Sequence, residues 1–189
     1  SWLVREEGAA ALRCLEAQSC PAQLLEMIKH FASRNAMNIE GLGEKIIQQL
    51  IAKELITDFV GLYELQEKDM ILLEGFASKS ASNLINSIEA SKDTSLQRFI
   101  YALGIREVGE TTALNLALNY SNLDSLIKSS KEELIEINDI GPVAADFIFE
   151  YFSKKSRVKL ITKLLALGFK LSAPKREENP TFSGKTVVI

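Results

Sequence analysis

The chain has 189 residues, 47% of them hydrophobic, and 25 acidic against 22 basic side chains give a net charge of −3. That is enough apolar material for one sizeable core and too little chain for many independent domains. The acidic balance excludes a protein that coats nucleic acid by bulk positive charge. No apolar run approaches a membrane span and no basic leader precedes an apolar stretch, so a soluble, cytoplasmic protein is expected.

Cys14 and Cys20 come first, in LRCLEAQSC. Their spacing fits half of a small zinc site and fits two unremarkable cysteines equally well, because a structural zinc needs four ligands. Pro21 suits the first turn of a helix whose apolar face is Leu24, Leu25, Ile28 and Phe31. His30, on the same stretch, is expected to be a packed or capping residue rather than a metal ligand. Ile46, Ile47, Leu50 and Ile51 recur at helical spacing and predict a helix from Glu44 to Lys53. Thr57 and Asp58 cap a short helix through Tyr63. Further helices are predicted from Ser78 to about Ala90 and, capped by Thr94 or Ser95, through Leu103 to a stop at Gly104.

The second half continues with a helix from Glu110 to Asn119 and short ones near Asn122 to Lys128 and Lys131 to Ile135. Another runs through Phe152, and the last from Lys155 to Leu167 ends before Gly168. Phe76, Phe99, Tyr101, Phe147 and Phe149 fall at helical spacing and are assigned to the core rather than to a base-stacking platform. After Leu171 the segment SAPKREENPT, residues 172–181, has two prolines, a charge run and no periodicity, and reads as a linker. Residues 182–189, FSGKTVVI, end in a β-branched run suited to a strand. A lone strand is unstable, so the chain is expected to stop just inside another domain.

One pattern recurs through these helices. NIEGLGEKIIQQL, LLEGFASKSASNL, GIREVGETTALNL and INDIGPVAADFIF align on Gly43, Ala77, Gly109 and Val143, at spacings of 34, 32 and 34 residues. In the first copy Gly41-Leu42-Gly43 forms a small turn between apolar helices. Leu42 is expected to point into the helix pair while the start of the next helix presents free N–H groups outward, an arrangement that attracts phosphate. The pattern resembles the helix-hairpin-helix motif, which holds nucleic-acid backbone without reading bases.

The copies are unequal. Ala77 replaces the second glycine of the second copy, Glu107 the first glycine of the third, and the fourth reads Gly141-Pro142-Val143, where a β-branched residue would crowd a phosphate. The first copy therefore ranks as the best grip, the second and third follow, and the fourth is partly structural. The DNA-binding set is Gly41, Leu42, Gly43, Glu44 and Lys45; Gly75, Phe76, Ala77 and Lys79; Arg106, Val108, Gly109 and Glu110; and Gly141. Few cations stand near the turns, so weak affinity with a shallow salt dependence is expected.

Two long runs carry a wider resemblance. His30 to Gly43, HFASRNAMNIEGLG, and Arg98 to Gly109, RFIYALGIREVG, strongly resemble bacterial NAD⁺-dependent DNA ligases, and FSGKTVVI resembles the first strand of their BRCT domain. The resemblance covers essentially the whole chain in the family's order. It implies an all-α body of four helix-hairpin-helix repeats packed as two pairs (23–171), preceded by the C-terminal half of a zinc finger (1–22). A linker (172–181) and a truncated BRCT strand (182–189) would follow.

It further implies that Cys14 and Cys20 match the last two of four zinc ligands, the first two lying upstream in the family. The implied parent seals nicks in duplex DNA in replication and repair, using NAD⁺ and Mg²⁺ in other domains. This chain has no KxDG nucleophile motif, so no catalytic residue is assigned and it is expected to be non-enzymatic by itself. Its expected partners are nicked duplex and the other ligase domains, with no membrane and no small-molecule substrate. A helix-hairpin-helix module of another repair protein is the nearest competing reading. An acidic helical protein-interaction domain, whose hairpins are only tight turns, is the alternative from another class.

Overall fold

The computed structural model describes residues 3–5, 12–14 and 20–174, with side chains from residue 20 onward. Helices dominate, in the order expected. Strands β1 (Leu3–Arg5) and β2 (Leu12–Cys14) pair antiparallel at the N-terminal side. Then come α1 (Pro21–Ala32), with Pro21 in its first turn, α2 (Glu44–Ala52), α3 (Phe59–Glu64), α4 (Glu67–Ile71) and α5 (Ser78–Ala90). Strand β3 (Asp93–Ser95) leads into α6 (Leu96–Ala102), α7 (Glu110–Asn119), α8 (Leu123–Ile127), α9 (Lys131–Ile135), α10 (Pro142–Ser153) and α11 (Lys155–Ala166), and β4 (Lys170–Ser172) closes the described part. None of the described helices is long and apolar enough to cross a membrane.

Two features depart from the expected order of elements. Helix α4 lies where no element was predicted, and β3 pairs in parallel with β4, with Asp93 opposite Lys170 and Ser95 opposite Ser172. Ser172, expected to open the linker, is therefore in a strand. Residues 1–2, 6–11 and 15–19 of the predicted half zinc finger, most of the predicted linker and the whole predicted BRCT strand lie outside the described residues.

The core forms because each helix turns one apolar stripe inward. Phe31 of α1 stacks on Phe59 of α3 at 4.4 Å between ring centroids and meets Tyr63 edge-on at 6.3 Å. Phe169, just before β4, packs against Tyr63 at 4.8 Å and Phe99 of α6 at 5.6 Å, so the C-terminal strand is fastened to the first half by aromatic contacts. His30 is packed as expected: its Nε2 donates to the Tyr101 carbonyl at 2.8 Å and its ring meets the Tyr101 ring. Phe149 corrects the aromatic assignment. It is 39% exposed, on the outer side of α10, with Lys131 Nζ 5.4 Å over its ring.

Tyr63 makes a testable contribution. Its buried hydroxyl lies 2.9 Å from Ser91 Oγ, and Ser91 spends its own proton on the Ile88 carbonyl, so Tyr63 is the donor. Burial pushes the phenol well above its ordinary value, and Tyr151 shifts the same way. Above about pH 10 the unfolded chain releases these protons and the folded chain keeps them, so stability is complete below that pH and falls as pH rises through it. Urea denaturation at about pH 8 and about pH 10.5 should show this fall, and Tyr63→Phe should blunt it. An equal alkaline loss in the variant would contradict the assignment.

Candidate nucleic-acid interface

Each hairpin is one turn with one backbone signature. In the four copies the N–H of Leu42, Phe76, Val108 or Ile140 donates to the carbonyl three residues earlier, on Ile39, Leu73, Ile105 or Ile137, at 3.1 to 3.4 Å. The residue before each donor has positive φ: Gly41 (84°), Gly75 (82°), Glu107 (62°) and Asp139 (62°). These are turns that need a left-handed third residue. Two residues beyond it stands the N-cap of the next helix, namely Gly43, Ala77, Gly109 and Gly141.

This register corrects the fourth copy. Gly141 occupies the place of Gly43, and Asp139, not Gly141, occupies the place of Gly41; the spacings become 34, 32 and 32 residues. Val143 is then the second helical residue, equivalent to Lys45, Lys79 and Thr111, and is 64% exposed. The side chain between the two special positions points inward as expected: Leu42 is 7% exposed, and Val108 and Ile140 are also buried.

The hairpin helices begin differently from their neighbours. Asp58 accepts from Val60 and Gly61 N–H at the start of α3, Ser95 from Arg98 in α6, Asn122 from Ser125 in α8 and Ser130 from Glu133 in α9. Helices α2, α5, α7 and α10 start on Gly or Ala, with no side chain to accept these bonds. Their first N–H groups are left for an external acceptor. Helices α1, α4 and α11 also lack a side-chain cap bond, but they begin on Cys20, Gln66 and Lys154, outside any hairpin turn.

Counting donors sharpens the residue assignment. The N–H groups of Leu42, Phe76 and Val108 are consumed by the turns, so the free donors begin no earlier than the N-cap residue. At hairpins 1 and 3 they are Gly43, Glu44 and Lys45, and Gly109, Glu110 and Thr111; Thr111 was not anticipated. At hairpin 2 the Ala77 N–H is taken by Ser80 Oγ at 2.9 Å, leaving Ser78 and Lys79. At hairpin 4 Pro142 has no N–H, leaving Gly141 and Val143.

Side chains around these termini are arranged to spare them. Glu44 and Glu110 would place carboxylates at the termini where phosphate is expected. Glu44 is held by Lys29 at 2.9 Å and Gln48 at 3.3 Å, and Glu110 accepts from Asn35 at 2.7 Å. Lys45 and Lys79 are exposed and form no salt bridge among the described residues. Arg106 is partly committed, with its guanidinium 4.5 Å over the Phe147 ring and 3.6 Å from Glu107. Arg98 braces the approach to hairpin 1 by donating to the carbonyls of Ala36 and Arg34.

The half zinc site implied for Cys14 and Cys20 falls mostly outside the described residues. Cys14 ends β2 and Cys20 is the N-cap of α1, and no group of three or more His, Cys, Asp or Glu side chains among the described residues could hold a metal. The described residues do not supply the four ligands a structural zinc requires.

Comparison with known proteins agrees with this geometry. Residues 98–161, which span hairpins 3 and 4, match the family model of the helix-hairpin-helix motif. A DNA ligase of Coxiella burnetii is 47% identical over 187 residues, covering 99% of this chain and 28% of that protein. A DNA ligase of Bacillus licheniformis is 45% identical over 195 residues, and one of Halothermothrix orenii 48% identical over 189, covering 100% and 98% of this chain and 29% and 28% of those proteins. The chain thus spans less than a third of the length of the curated relatives it matches.

Proposed function

We propose, from a chain that fits a C-terminal fragment of a bacterial DNA ligase, that it is the part of such an enzyme that holds duplex DNA. The observation that carries this is the set of four helix N-termini with the same turn, no side chain on the N-cap residue accepting their N–H groups, and two or three of those groups left free at each. Backbone N–H groups at a helix start bind phosphate and carry no base information. Sequence-independent grip is what a nick-sealing enzyme requires, since a nick can occur in any sequence.

In this reading the hairpins work as two pairs, 1 with 2 and 3 with 4, that hold the sugar-phosphate edges from the minor-groove side. Other domains, using NAD⁺ and Mg²⁺, adenylate a lysine, transfer AMP to the 5′-phosphate and join the 3′-hydroxyl. The cellular setting is the bacterial cytoplasm. The zinc finger implied by Cys14 and Cys20 would need ligands beyond the described residues, and nothing in the proposed grip passes through it.

Fluorescence anisotropy with nicked and intact duplexes of several sequences tests the proposal. Affinity should vary less than about three-fold with sequence, because backbone contacts dominate. Few cations are available, so log K should fall with log salt at a slope no steeper than about −3. Lys45→Ala should make that slope shallower by about 0.9, and Arg106→Ala by less because Arg106 is already stacked and paired. Absence of duplex binding, or a strong preference for one sequence, would contradict the proposal.

A further inference from the structure

We infer that Gln49 and Asn115 are positioning residues that set the two hairpins of each pair relative to one another, an inference that rests on the phosphate-clamp reading above. Gln49 lies on α2, six residues beyond the N-cap Gly43, and its side-chain amide brackets the backbone of Glu74 in hairpin 2. Its Oε1 accepts from the Glu74 N–H at 2.7 Å and its Nε2 donates to the Glu74 carbonyl at 3.5 Å. Asn115 lies on α7, six residues beyond the N-cap Gly109. Its Nδ2 donates to the Asn138 carbonyl of hairpin 4 at 3.0 Å and to Asp139 Oδ2 at 3.3 Å.

The two ties are equivalent. Glu74 and Asn138 hold the same place in their turns, each immediately before the positive-φ residue, Gly75 or Asp139. So the helix leaving the first hairpin of a pair grasps the turn of the second, and this happens once in each half of the chain with different amide residues. A side-chain amide suits the task because its planar group fixes direction as well as distance, through donor and acceptor together in Gln49 and through the two-proton donor in Asn115. The bonds lie where apolar packing gives out: Gln49 and Asn115 are half-buried and the turns they hold are exposed.

Consequences follow for binding. Each turn aims the helix it opens, so a fixed turn fixes the angle between the two sets of free N–H groups in a pair. A rigid duplex presents phosphates at set separations, and preorganised donors meet them without an ordering cost. A single strand is flexible and can adjust to either hairpin separately. The ties are therefore a device for favouring duplex over single strand.

The test uses Gln49→Leu, Asn115→Leu and the double variant in the full chain, with Gly43→Asp as the reference for the clamp. Duplex affinity should fall roughly three- to ten-fold in each single variant, since each loses hydrogen bonds of ordinary strength. The effects should multiply in the double variant because the two pairs are separate. Binding to a single strand of the same length should change less than about two-fold. Hydrogen exchange on the free protein should show faster exchange at the Glu74 amide in Gln49→Leu with core amides unchanged. If Gly43→Asp weakens binding while both leucine variants bind duplex like wild type, or lose duplex and single-strand affinity equally, the positioning role is wrong and the clamp stands. Unchanged protection at Glu74 would also overturn it. If Gly43→Asp is neutral as well, the clamp reading itself fails.

Discussion

Replacing Gly43 and Gly109 with aspartate is expected to weaken duplex binding by roughly ten-fold or more per site while leaving the fold as stable as before, or slightly more so. These glycines are not needed for the turn. Gly43 has φ −82° and ψ 168° and Gly109 φ −85° and ψ −176°, extended conformations open to any residue, and a Cβ at either would meet nothing within 4 Å. Aspartate is a good N-cap, and replacing glycine also reduces the freedom of the unfolded chain, so stability should rise by a few tenths of a kcal/mol.

The same carboxylate would occupy the N–H groups offered to phosphate and repel the phosphate itself. A charge-assisted hydrogen bond is worth about 1.5–3 kcal/mol, which sets the ten-fold scale. Binding and stability thus move in opposite directions, which separates a lost contact from a damaged fold. Calorimetric melting and anisotropy on the same samples decide it, and a folded double variant with wild-type affinity would refute the clamp. Gly141→Asp should cost less, because Pro142 has already removed one donor there.

The largest expected loss of stability comes from Phe31→Ala, about 3–5 kcal/mol, the usual cost of truncating a buried aromatic. Phe31 is fully buried and touches both Phe59 and Tyr63, and Tyr63 in turn meets Phe169 beside β4. The vacated space borders rings whose backbones are held in separate elements, so collapse around it is limited. Against a typical total of about 5–15 kcal/mol this is a large fraction. Urea denaturation should show a lower midpoint with an unchanged slope. Measured where the variant is still folded, its duplex affinity should match wild type, because the hairpin termini lie elsewhere; a cost below about 1 kcal/mol would show that the aromatic chain does not organise the core.

Much of this architecture is legible in residue spacing. Apolar periodicity and caps place α5 at Ser78–Ala90, α7 at Glu110–Asn119 and α9 at Lys131–Ile135, bounds the structure shares. Helix α4 is as short as α8 and α9 but begins on Gln66, without the Asn or Ser cap that marks the starts of those two. The β3–β4 pairing joins two three-residue segments far apart in the chain, and no local pattern announces so distant a partner. Phe149 shares the helical spacing of core aromatics, but spacing alone does not say which side of α10 faces out.

The fourth hairpin shows most clearly why glycine matching misleads. Two of the four positive-φ places are filled by Glu107 and Asp139, so Gly141 was aligned with the turn glycine when it is the N-cap. The apolar pairs Ile39–Leu42, Leu73–Phe76, Ile105–Val108 and Ile137–Ile140 carry the correct register, because they form the turn and fill the helix pair beneath it. Which N–H groups are free is hidden in the same way, because which one a turn consumes is a matter of hydrogen-bond geometry and not of composition. Gln49 and Asn115 are ordinary polar residues on amphipathic helices, and only their shared distance from an N-cap glycine distinguishes them.

The most direct test is amide chemical-shift mapping by NMR as the chain is titrated with short duplex DNA. The largest perturbations should fall on Gly43 to Lys45 and Gly109 to Thr111, with smaller ones at Ser78 and Lys79 and at Gly141 and Val143. The same residues should respond whatever the duplex sequence. Perturbations concentrated on another surface, such as the exposed lysines of α11, with the hairpin amides unmoved, would show that these helix termini are only turns.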